Sequence, residues 1–228
     1  MPRRRLIAAL ACVVLAASVS TALVSRAGAG TSRCDRFRQA AAEPARTSFD
    51  GTASTRRILV IGDSYSMGLG VRSDQSWAHR LPGRVVVDGF SGSGFSAHAS
   101  PCGAVSYAAR AARGLRRAAP VDLVVVEGGL NDFDQSDGAI RRGFDELIDQ
   151  LPGARVVVVG PADAPARAAE VPRVDDLLAR LSAAHGLRYV RMAGTTFPYL
   201  SDGLHLTAAG HREFGDIVSR AIGGRRDS

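Results

Sequence analysis

Four short blocks in this sequence carry residues able to move an acyl group. The first is Gly62-Asp63-Ser64-Tyr65-Ser66, directly after an apolar run. A serine at an abrupt turn out of a strand into a helix exposes its hydroxyl and aims its own backbone N–H at the same space, so Ser64 is a nucleophile candidate, with helix capping as the competing role. The second, Gly89-Phe90-Ser91-Gly92-Ser93-Gly94-Phe95, spaces glycines so that backbone N–H groups can approach a bound group, which makes Gly92 or Gly94 a candidate oxyanion donor. The third, Glu127-Gly128-Gly129-Leu130-Asn131-Asp132, holds the only asparagine of the chain. The Asn131 amide is a neutral donor that can stabilise a developing oxyanion without protonating the nucleophile, and Asn also suits a tight turn. The fourth is Asp202-Gly203-Leu204-His205. With the carboxylate three residues before the imidazole on a loop, Asp202 can accept the Nδ1–H of His205 and leave Nε2 free to take a hydroxyl proton; the same residues also read as an ordinary turn before a helix.

These blocks need a frame that brings them together. Residues 58–61, 85–87, 123–126, 156–159 and 187–190 are short apolar runs rich in β-branched side chains, as strands buried on both faces require. Between them, Ile140, Phe144, Leu147, Ile148 and Leu151 repeat at helical spacing, as do Val174, Leu177, Leu178 and Leu181. Residues 105–115 and 207–221 behave similarly. Alternation of strand and helix predicts an α/β fold with a mostly parallel sheet covered on both sides, and ligands bind such sheets beyond the carboxyl ends of the strands. Three of the four blocks follow predicted strands, and the fourth is the final loop.

In order and spacing, Gly62-Asp63-Ser64, Gly92, Gly129-Leu130-Asn131-Asp132 and Asp202 to His205 resemble the blocks of the SGNH, or GDSL-type, hydrolase family over roughly residues 56–222. The departure at Tyr65, where many relatives carry Leu, falls at a variable position. The resemblance implies a flavodoxin-like three-layer α/β/α sandwich with a five-stranded sheet, and ester hydrolysis with neither cofactor nor metal. It also implies Ser64 as nucleophile, His205 as base, Asp202 as its orienter, and an oxyanion hole from Ser64, Gly92 and Asn131. Asp63 and Asp132 would then fix the two turns by bonding neighbouring backbone. Phe90, Phe95, Phe133, Phe197 and Leu204 flank the blocks and could line an acyl pocket or simply pack the core. The expected partner is a small-molecule, glycan or lipid ester, with a catalytically silent carbohydrate- or lipid-binding protein of the same fold, or a polysaccharide acetyl esterase, as the alternatives.

Composition narrows the field further. With 46% hydrophobic and 22% charged residues, the 228-residue chain is neither disordered nor collagenous and holds one ordinary domain. Its 29 basic residues are all arginine, which excludes a P-loop lysine, and Gly62-Asp63-Ser64-Tyr65-Ser66 lacks the second glycine of an α/β-hydrolase elbow. Four arginines precede residue 30; the remaining 25 face 22 acids without a basic block, so no nucleic-acid partner is expected. Residues 1–29 open with Arg3-Arg4-Arg5, continue through an uncharged Ala/Val/Leu stretch and end in Ala27-Gly28-Ala29, the layout of a secretory signal peptide or, if uncleaved, a membrane anchor. Export would remove Cys12 and leave Cys34 and Cys102 able to pair in an oxidising compartment; Arg33 before Cys34 argues against a lipoprotein site. Residues 30–55 read as a linker and 56–224 as the domain.

Overall fold

The structure, a computed structural model, describes residues 32–50 and 55–223, so the leader-like residues 1–29 lie outside the described residues. The chain divides after Arg36, and the unit Phe37–Ser228 contains the sheet. Six strands, β1 (Ser48–Asp50), β2 (Arg57–Gly62), β3 (Arg84–Gly89), β4 (Leu123–Glu127), β5 (Val156–Val159) and β6 (Arg188–Val190), lie side by side in the order β1-β3-β2-β4-β5-β6. All neighbours are parallel except β1, which runs antiparallel to β3. Ile61 pairs with both Asp88 and Val126, so β2, β3 and β4 end at one level and deliver the first three blocks to the same rim.

Strand alternation divides the core into two layers. Leu59, Ile61, Val124, Val126 and Val158 face Phe144, Leu147 and Leu178, which belong to α4 (Asp137–Asp149) and α5 (Val171–Ala184); Tyr107 and Ala111 of α3 (Tyr107–Ala118) join them. Ile58, Val60, Val87, Val125 and Val157 face Trp77 and Phe214, the latter from α6 (Ala208–Gly223). Ser106 and Ser136 cap α3 and α4 by accepting the N–H of Ala109 and Ala139, which fixes where each crossover helix begins. The three-layer sandwich is therefore as expected, and the five predicted strands are all present.

Two expectations are corrected. Among the described residues the sheet has six strands rather than five, because Ser48–Asp50, inside the stretch read as a linker, pairs with β3 in the register Ser48 to Val86 and Asp50 to Arg84. A three-residue strand with one apolar side chain, Phe49, is too short to show alternation. The same stretch holds helices α1 (Arg33–Ala42) and α2 (Pro44–Thr47). No helix follows Ser64: residues 64–70 form turns, with Gly68 and Gly70 at φ +61° and +91°. Cys34 and Cys102 are both disulfide-bonded, as the even count allows.

One buried cation ties the ends of the central strands. Arg110, on α3, is 2% exposed and donates to the carboxylate and carbonyl of Asp88, to the carbonyl of Gly62 at 3.0 Å and to Ser93 Oγ at 3.1 Å. Burial opposes the charge on Asp88, but Arg113 and Arg110 outweigh it and hold its carboxyl below the ordinary carboxylate range. Breaking a buried pair strands a charge. Arg110→Met is therefore expected to cost about 3–5 kcal/mol; an unchanged urea midpoint would contradict this role.

Candidate active site

At the rim, β2 gives way to Asp63, which is 1% exposed and acts as a junction. Its Oδ1 accepts the Tyr65 N–H at 2.9 Å, closing the turn around Ser64. Its Oδ2 accepts the Asn131 amide at 3.0 Å and the Tyr107 hydroxyl at 3.4 Å. The second amide contact of Asn131 goes to Ser93 O at 2.9 Å. One carboxylate and one amide thus bind the first three blocks together.

The fourth block closes over them. Nδ1 of His205 lies 2.6 Å from Asp202 Oδ2, while Asp202 Oδ1 accepts the N–H groups of Leu204 and His205 at 2.9 Å each. This is the turn-back that the three-residue spacing anticipates. Burial pushes the Asp202 carboxyl upward, but the His205 imidazole and these two N–H groups outweigh it and hold it at about 2. The hydroxyl of Tyr65, next to Ser64, donates to the carbonyl of Leu204, next to His205, at 2.6 Å. A protonated His205 imidazole would favour the ionised form of Asp63. Ser64 is consequently flanked on both sides by residues engaged with the His205 loop. Among the described residues, Ser64 N–H, Ser64 Oγ and His205 Nε2 make no hydrogen bond, so all three are available to a ligand.

The two candidate glycine donors separate by environment. A Cβ on Gly94 would lie 2.5 Å from Asp132 Oδ2, so that glycine makes room for a carboxylate. Gly92, at φ +81°, has only Phe37 within reach of a Cβ, at 3.6 Å; the N–H groups of Gly92 and Gly94 both lack an acceptor among the described residues. Asp63 bonds its own turn, as expected. Asp132 does not: its carboxylate accepts Phe95 N–H at 3.0 Å and Ser96 N–H at 2.8 Å, clamping the glycine loop instead. The aromatic residues near the blocks also divide. Phe95 packs on Tyr107 and Phe144, and Phe197 on Phe214, so both are core; Phe90 is buried against Phe37, while Phe133 and Leu204 stay partly exposed. Sequence reading passed over Glu127, Tyr65 and Tyr107 because each acts through a partner 44 to 139 residues away.

Three carboxyls lie buried beneath the rim. Burial raises Asp63 to about 6 despite the Tyr65 N–H and the His205 charge, and raises Asp132 to about 7 despite the Ser96 and Phe95 N–H groups. Burial, with the charge of Asp63 added, pushes Glu127 well above the ordinary range, and Ser66 Oγ donates to it at 2.6 Å. A folded-state pKa above the unfolded one stabilises the fold at pH below the unfolded value, and that contribution is lost as pH rises through the folded value. The contribution of these three carboxyls to the unfolding free energy is therefore expected to fall as pH rises from about 4 to 7, against the opposite contribution of His211, which burial holds at about 4; in denaturant titrations Asp132→Asn is expected to lose less stability over that range than the wild type.

Residues 60–213 match the GDSL-like lipase/acylhydrolase family. An α/β/α sandwich with this rim defines an ester-hydrolysing enzyme, and the chain belongs to that family. No match to the chain is found among curated proteins. Solved structures share the fold. Est24, a carbohydrate acetylesterase from Sinorhizobium meliloti, is 19% identical with a TM-score of 0.64, over 74% of this chain and 98% of that one. The aryl esterase of M. smegmatis is 20% identical with a TM-score of 0.63, over 73% and 98%. A family two carbohydrate esterase from Clostridium thermocellum in complex with cellohexaose is 18% identical with a TM-score of 0.55, over 73% of this chain and 63% of its own.

Proposed function

We propose that this chain is an exported serine esterase that cleaves short-chain acyl esters through a covalent acyl-enzyme. The observation that carries the reading is the Ser64 hydroxyl, unpartnered among the described residues, beside the loop in which Asp202 holds His205 with Nε2 likewise unpartnered there. Ser64 Oγ attacks the acyl carbonyl as its proton passes to His205 Nε2, and Asp202 stabilises the imidazolium that forms. The tetrahedral oxyanion is held by Ser64 N–H, Gly92 N–H and Asn131, whose amide exchanges one of its present acceptors for the oxyanion. Collapse breaks the ester C–O bond, and the His205 proton leaves with the alcohol. Water then attacks the acyl-enzyme with His205 again taking the proton, which releases the acid and restores Ser64.

A small acyl group suits a rim from which Phe95 and Phe197 are withdrawn into the core. A glycan leaving group is supported by the fold shared with carbohydrate esterases. Export rests on the leader pattern of residues 1–29 and is favoured by the disulfide-bonded state of Cys34 and Cys102. N-terminal sequencing of the secreted chain is expected to begin after Ala29; a retained Met1 would instead mark an anchor.

With p-nitrophenyl acetate, the purified chain is expected to release p-nitrophenol, and Ser64→Ala to abolish that release. Asn131→Ala is expected to lower kcat by about 10² to 10³, and Asp202→Asn by up to about 10⁴. Ligand binding without serine-dependent turnover would identify a catalytically silent binding protein. A panel of acyl esters that includes acetylated polysaccharide would fix the leaving group.

A further inference from the structure

The segment just before the family-matched residues 60–213 reaches the turn that presents Ser64. Arg46, in α2, donates from Nη1 to Met67 O at 2.9 Å and Gly68 O at 3.1 Å, and from Nη2 to Val71 O at 3.3 Å. Its Nε donates to Glu43 at 2.9 Å, which sets the plane of the guanidinium. Residues 63–71 form one irregular turn, closed by Met67 N–H to Asp63 O, Gly68 N–H to Tyr65 O and Leu69 N–H to Ser64 O. Because no regular helix continues it, its last carbonyls need outside donors. Met67 O and Val71 O receive no other hydrogen bond among the described residues. A planar fork with five N–H groups can serve several carbonyls at once, as a lysine ammonium on its flexible stem does less well.

The segment is held independently of that fork. Immediately after α2, β1 pairs with β3, and Phe49 stacks on His79 with ring centroids 3.5 Å apart. Ser64 stands at the start of the turn and Arg46 grips its end, so the guanidinium limits how far the turn can rotate about the exit of β2. Both the hydroxyl and the backbone N–H of Ser64 move with that turn. A displacement of about 1 Å in an acyl-transfer site costs on the order of 10² in rate.

We propose that residues 43–50 form a strap whose Arg46 is a positioning residue for acyl transfer, acting through the turn that carries Ser64. This rests on the reading of Ser64 as nucleophile. Arg46 touches neither substrate nor reacting atoms, so its effect belongs in kcat rather than KM. The exported chain carrying Arg46→Met, Arg46→Lys or Arg46→Gly tests the proposal with p-nitrophenyl acetate and with amide hydrogen exchange over residues 65–71.

In Arg46→Met, kcat is expected to fall by about 10- to 100-fold with KM within about twofold, and the Gly68 and Leu69 amides to exchange faster. Arg46→Lys, which can still reach one or two carbonyls, is expected to recover part of kcat, as is methylguanidinium added to Arg46→Gly. Wild-type kcat in Arg46→Met and Arg46→Lys, unchanged exchange over residues 65–71, or a purely KM effect would overturn the proposal. Exchange is read without substrate, so a wild-type chain that shows no serine-dependent hydrolysis refutes the reading of Ser64 while the grip on the turn is still measured.

Discussion

The site depends on a carboxylate placed where water cannot reach it. Asp63 is buried, and a buried carboxylate is tolerable only if its oxygens find donors. Those donors are the Tyr65 N–H, the Asn131 amide and the Tyr107 hydroxyl, one from its own turn, one from the turn after β4 and one from the start of α3. Satisfying one side chain thus obliges three separated segments to meet at fixed distances. Asp132 repeats the device against the glycine loop, and Arg110 does so from below with opposite charge. Precision at this rim follows from the cost of leaving such groups unpaired.

The frame was legible because buried parallel strands leave a coarse signature. Val156–Val159 could be bounded from sequence without error, since four consecutive β-branched residues between helical patterns admit little else. Ser64, Asn131, Asp202 and His205 were legible for a different reason: side chains of the types that could serve as nucleophile, amide donor and acid–base pair stand at two strand exits and in the final loop. Partners that work at long range were not legible. Nothing local in Tyr65 announces a hydrogen bond to Leu204, and nothing in Arg46 announces the carbonyls of residues 67–71. The pocket aromatics show the same limit, because only packing decides that Phe95 turns inward and Phe133 outward.

The all-arginine composition acquires a meaning in this light. Arg46, Arg110 and Arg113 each contact two or more acceptors, and Arg167 lies over the Phe133 ring at 3.8 Å. Forked donors and a flat face serve these tasks better than a point charge. Part of the arginine content is thus a set of fasteners around the rim, of which Arg110 is buried.

The strand β1 has a temporal consequence. It leaves a synthesis or translocation machine before β2 and β3, yet among the described residues its one neighbour in the sheet is β3, whose paired residues lie 34 to 38 positions later in the chain. Until those residues have emerged, β1 has no edge to join. An emerging chain therefore carries Ser64 before it carries the strand on which β1 docks, and this edge of the sheet is completed only once β3 is in place.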